Sequence, residues 1–151
     1  MTGLLVLLAA LVGTAAVAAL TRWKNGRFSA PPQPDDRERL NAEQIGAPLG
    51  ERATMVQFSS AFCSPCRATR VLLTDVAAKV PGVVTVEIDA EDNLQLVRDL
   101  DIMRTPTVLV LDADGAVTTR ASGLPRREQV MAALDRTGGP RQPSRNIQHP
   151  H

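Results

Sequence analysis

The chain holds two cysteines, and they stand two residues apart with a proline between them, in "FSSAFCSPCRATR" (58–70). Three kinds of chemistry use such a pair: thiol–disulfide exchange, half of a zinc site, or plain filling of a core by small apolar side chains. A zinc centre needs four ligands as a rule. The central part of the chain has no histidine and no third cysteine to complete one. Free cysteines are often buried, but a Cys-x-Pro-Cys pair where a strand gives way to a helix fits working thiols better than filler. At a helix start, the unpaired N–H groups and the positive end of the macrodipole favour thiolate over thiol at Cys63, and thiolate is the attacking species. Arg67 and Arg70 are expected to add positive potential. Cys66, one turn further on, lies on the same helix face and can close a disulfide with Cys63. Pro65 lacks only an N–H that the first turn leaves unpaired, and it stiffens the loop.

The elements that must hold this pair follow from periodicity. "TMVQF" (54–58) reads as a strand ending just before the cysteines, and Ala68, Leu72, Val76 and Val80, with Val71 beside them, recur at helical spacing after them. "VVTVEI" (83–88) is a strand bounded by Pro81-Gly82, and Leu94, Val97 and Leu100 mark a short helix. "TVLVL" (107–111) is continuous enough to be buried on both faces. "DADG" (112–115) turns the chain into "AVTTRA" (116–121), and Pro125 opens a last helix with Val130, Met131 and Leu134 on one side. A segment at 40–52 is a weak candidate for a further edge strand. The order β-α-β-α-β-β-α calls for an α/β fold, a mixed central sheet with helices on both faces.

Outside this core the composition changes. From Gly3 to Leu20 there is no charge and Thr14 is the one polar side chain, about 27 Å of helix if uninterrupted. That suggests a transmembrane anchor over residues 1–22; a cleaved signal peptide, with Ala16-Val17-Ala18 at its cleavage site, is the rival. Arg22, Lys24 and Arg27 follow the apolar run, so the positive-inside rule favours a cell-membrane protein with a cytoplasmic C-terminal domain, an extracytoplasmic one being the alternative. Trp23 stands where an interfacial anchor would. Residues 23–39, rich in proline and charge, read as a flexible linker, 40–136 as the folded domain, and 137–151, with His149 and His151, as a disordered tail. A formal net charge of +1 gives no footprint for nucleic acid. With no P-loop and no G-x-G-x-x-G, no cofactor is expected, and no metal either.

Several of these segments together resemble the thioredoxin family. "FCSPC" (62–66) is similar to its aromatic-Cys-x-Pro-Cys motif, "IMRTPT" (102–107) to its cis-proline segment, "VEIDAEDN" (86–93) to its central strand and following turn, and "ASGLPRREQV" (121–130) to the approach to its last helix through Gly123. The resemblance implies a thioredoxin-like fold and a redox-active Cys63–Cys66 disulfide. It implies further that Pro106 is cis and faces the cysteines, and that Pro106, the Thr105 backbone, Phe62 and Pro65 meet substrate. The chain departs from the pattern twice. Gln57 stands where many members have an aspartate six residues before the first cysteine, and Ser59 where they have a tryptophan. Gln57 is either a buried neighbour of Cys66 or a polar strand residue facing outward. The expectation is a membrane-tethered protein disulfide reductase working in redox homeostasis, with a disulfide substrate and an electron donor. A non-catalytic binding module and a redox-sensing tether are the competing classes.

Overall fold

All seven residues of β1 (Ala53–Ser59) are buried, because this strand lies inside the sheet and is covered on both faces. The computed structural model describes residues 2–24 and 38–138. After α1 (Thr2–Lys24) and α2 (Ala42–Ile45), β1 is followed by α3 (Ser64–Lys79), β2 (Val83–Asp89), α4 (Leu94–Asp99), β3 (Thr107–Asp112), β4 (Val117–Ser122) and α5 (Arg127–Asp135). The sheet order is β2-β1-β3-β4. β1 and β2 run parallel, which requires a crossover that α3 provides, and β3 is antiparallel to both β1 and β4. The expected mixed sheet is therefore present.

Side-chain alternation sorts β1 and β3 into two cores. Ala53, Met55, Val108 and Val110 pack with Leu73 and Val76 of α3 and with Val130, Ala133 and Leu134 of α5. Val56, Phe58, Leu109 and Leu111 pack on the other face with Leu40, Ile45, Ile88, Leu100 and Ile102. Each fully buried aliphatic or aromatic side chain contributes about 1.5–3 kcal/mol. The two layers clamp β1 and so fix the point at which its C-terminal end releases the cysteine loop.

Three details differ from the sequence expectation. The buried face of α3 runs through Cys66, Thr69, Leu73 and Val76, while Val71 and Ala68 are exposed and Leu72 is only half-buried. Adjacent leucines at 72 and 73 allow either phase, and the helix start at Cys63 selects the one that points Cys66 inward. On α5, Met131 is turned out and Ala133 takes its place in the core. The candidate edge segment at 40–52 holds no strand. Asn41 instead caps α2 in a capping box with Gln44, and sheet-like pairing occurs just upstream, where Arg39 bridges Ala116 in antiparallel sense. Leu40 N–H donates to Gly115 O at 2.9 Å and Val117 N–H to Glu38 O at 2.8 Å. Gly115 makes this close approach possible: its φ is +80°, and a Cβ there would lie 2.1 Å from the Leu40 carbonyl oxygen.

The apolar N-terminal segment is helical, and its described side chains from Leu5 to Thr21 are exposed. Among the described residues no helix is long and apolar enough to cross a membrane. The Trp23 side chain, most of the expected linker, and the tail beyond Gly138 with His149 and His151 lie outside the described residues.

Candidate active site

β1 ends at Ser59, whose carbonyl accepts the Ala90 N–H at 2.8 Å and so ties the strand end to the turn after β2. The chain then makes one turn, with Cys63 N–H donating to Ser60 O at 3.3 Å, before α3 begins. Cys63 is the N-cap of α3, its backbone extended, and its sulfur accepts the Cys66 N–H at 3.2 Å. The sulfur thus takes the place that a serine or aspartate oxygen usually holds at a helix start. In the reduced state this N–H and the helix dipole favour negative charge on that sulfur.

The two cysteines form a disulfide with a Cα–Cα distance of 5.2 Å. They are unequal in access: Cys63 is half-exposed, whereas Cys66 is 1% exposed on the inner face of α3. Pro65 lies in the first turn and is exposed, as is Phe62, which projects fully into solvent beside Cys63. The Arg67 side chain is also exposed. Arg70 does not supply free positive potential, because it forms an ion pair with Glu87 of β2, Nη2 to Oε1 2.7 Å.

Gln57 is the buried neighbour of Cys66 and does not face outward. It shares the face of β1 that carries Ala53 and Met55, and its Nε2 donates to the Cys66 carbonyl at 2.9 Å. At 1% exposure it places a neutral amide beneath the inner cysteine.

On the opposite side of the site, the Thr105–Pro106 bond is cis. Pro106 O accepts the Gly123 N–H at 2.7 Å, and Thr107 Oγ1 donates to Arg104 O at 2.7 Å, so the segment is held from both ends. Thr105 N–H and C=O have no backbone partner among the described residues. The Thr105 and Ser60 hydroxyls share a hydrogen bond at 2.9 Å, which brings the cysteine loop and the cis-proline loop together. Ser60 was not among the residues that spacing or resemblance picked out. Its partner lies 45 positions away, and nothing in "SSAF" signals the contact.

An outer sulfur at a helix N-cap, an inner sulfur one turn behind it and a cis-proline loop alongside make a domain for thiol–disulfide exchange. The thioredoxin profile matches residues 41–136, and the chain belongs to the thioredoxin family. It is 35% identical over 71 residues to thioredoxin domain-containing protein 2 of Mus musculus, covering 47% of this chain and 14% of that one. The chain spans only 13–18% of the mouse, rat and human relatives of that name. Thioredoxin of Chlamydia pneumoniae is 27% identical over 89 residues, 59% of this chain and 86% of that one. Among solved structures, chloroplastic thioredoxin z superposes with a TM-score of 0.55 at 25% identity, covering 67% of this chain and 93% of that one. Spinach chloroplast thioredoxin f gives 0.51 at 20% identity, covering 58% and 78%, a likeness of fold alone. The match and the cysteine pair define a thiol–disulfide oxidoreductase domain.

Proposed function

We propose that this chain is a protein disulfide reductase held at the cell membrane by α1. The observation that carries the reductase reading is the asymmetry of the pair: Cys63 is half-exposed and helix-capping, Cys66 buried behind it. In the reduced enzyme the Cys63 thiolate attacks one sulfur of a substrate disulfide; that S–S bond breaks and the other sulfur leaves as a thiolate, which takes up a proton. Cys66, losing its own proton, then attacks the Cys63 sulfur and expels the second substrate thiolate. The enzyme is left with the Cys63–Cys66 bridge, having passed two electrons to substrate. A dithiol donor returns the two electrons and the protons. The backbone groups of Thr105, open to an extended peptide, support protein rather than small-molecule disulfides as substrates. The exposed Phe62 and Pro65 offer that peptide apolar contact.

Tethering is supported by the apolar side chains of α1, Leu5, Val6, Leu7, Leu8, Leu11 and Val12 among them, which are exposed on all sides of the helix. The basic residues Arg22, Lys24 and Arg27 favour a cytoplasmic domain and hence a reducing setting. Labelling of the single-cysteine forms by a membrane-impermeant thiol reagent in intact cells tests this: protection is the expected result, and rapid labelling would place the domain outside.

The chemistry is tested by substitution. Cys63→Ser should abolish reduction of a peptide disulfide, and Cys66→Ser should accumulate a mixed disulfide between Cys63 and the peptide, seen by mass spectrometry. Equal alkylation rates for Cys63 and Cys66 at neutral pH would contradict the assigned roles.

A further inference from the structure

The Ser60–Thr105 hydroxyl pair joins two loops that the substrate must engage at once. Cys63 offers the attacking sulfur, and the Thr105 backbone offers N–H and C=O groups that have no backbone partner among the described residues. Ser60 is tied to both: its carbonyl accepts the Cys63 N–H at 3.3 Å, and its hydroxyl meets Thr105 Oγ1 at 2.9 Å. The hydroxyl pair is partly buried and, among the described residues, joins the two loops by a side-chain hydrogen bond. Building on the reductase reading above, we infer that Ser60 is a positioning residue for peptide substrates: through Thr105 it sets the separation between the Cys63 sulfur and the main-chain groups that pair with the peptide.

The consequence depends on substrate class. A peptide disulfide must reach the sulfur while its own backbone pairs at Thr105, so a preset separation spares it the cost of ordering two loops on binding. A small disulfide that lacks a peptide backbone needs only the sulfur. Loss of the hydroxyl pair therefore slows the first class more than the second. Removing one partner also leaves the other hydroxyl without its hydrogen bond in a partly buried place. The two single changes should consequently act as one event and not as two.

The test uses the full chain in detergent micelles, reduced beforehand, with formation of the Cys63–Cys66 bridge followed in a single turnover. One substrate is a ten-residue peptide containing an intramolecular disulfide; the other is hydroxyethyl disulfide. Ser60→Ala is expected to lower the peptide-to-small-disulfide rate ratio about fivefold, the scale of one hydrogen bond. Thr105→Val should lower it similarly and the double variant no further, while Thr105→Ser, which keeps a hydroxyl, should restore it. The ratio corrects for any loss of folded protein common to both substrates. An unchanged ratio in Ser60→Ala, or effects of the two single changes that add in full, would overturn the inference and leave the reductase reading standing. Failure of the unsubstituted chain to form the bridge with either substrate would overturn the reductase reading, and this inference with it.

Discussion

Gln57 holds the position from which a side chain could take the proton of Cys66, and an amide cannot do it: its Nε2 donates to the Cys66 carbonyl, and neither amide atom can bind and release a proton near neutral pH. Resolution of the mixed disulfide would then rely on water or another carboxylate to take the proton from a residue that is 1% exposed. Gln57→Asp should introduce a carboxylate whose pKa burial pushes up, placing a proton acceptor beside Cys66 and speeding resolution near neutral pH. The sign of the accompanying stability change is set by that upward shift. A buried aspartate with a folded-state pKa above its unfolded value costs little in acid and progressively more as pH rises through the raised value. Single-turnover bridge formation across pH, measured beside urea unfolding of both forms, checks the two effects together; identical rate profiles would show that another group already moves the proton. At this scale the cysteines were legible because both their type and their spacing carry chemistry. The alternation of β1 decides which way Gln57 faces, and only knowledge of which face α3 covers turns that into contact with Cys66. The Ser60–Thr105 pair was illegible for a different reason: a hydrogen bond between residues 45 positions apart leaves no local pattern.

Elements were found by their periods and misplaced where two periods fit. On α3, Leu72 and Leu73 permit two helical phases, and the choice falls to the capping geometry at Cys63. At the edge of the sheet, the pairing at Arg39 extends over a single bridge, too short for strand alternation to reveal. That edge carries a titratable group. Glu38 faces Arg120 at 3.6 Å, yet burial pushes its carboxyl above the ordinary range, with Asp101 and Asp99 adding to the rise and Arg120 opposing it. A carboxyl with a raised folded-state pKa binds its proton more tightly in the folded than in the unfolded chain. Its stabilising contribution is present in acid and is lost as pH rises through the raised value. Glu38→Gln removes this penalty, so the variant should be more stable than the parent at pH 7, with the difference shrinking as pH falls toward 4. Urea midpoints at several pH values measure it; a variant less stable than the parent at pH 7 would show that the Arg120 pairing outweighs the burial.

At the scale of the whole chain, the sequence divided into an apolar segment, a charged and proline-rich spacer, and a domain whose expected limits, 40–136, nearly coincide with the thioredoxin match at 41–136. The domain was legible because its strands and helices alternate in a recognisable order. The behaviour of the apolar segment was less so, because length and hydropathy describe a helix without saying what surrounds it. The bridge at Arg39 refines the lower limit. A fragment from Pro34 to Arg136 retains Glu38 to Leu40, including Leu40 in the core around Phe58, and should unfold in one cooperative urea transition. A fragment beginning at Ala42 lacks these contacts and should unfold at lower urea. Equal midpoints would mean that the bridge at Arg39 and the burial of Leu40 contribute nothing to the domain.

The same bridge has a mechanical side. Tension drawn through the segment that precedes Glu38 reaches the domain first at two hydrogen bonds, Val117 N–H to Glu38 O and Leu40 N–H to Gly115 O. A pull directed away from the sheet edge loads them one after the other, as in peeling, and only then the chain that leads through α2 to β1. Cys63 lies beyond β1, behind all of that. If the chain is held at a membrane as proposed above, these two hydrogen bonds would take the load of a tether before β1 and the cysteine loop that follows it.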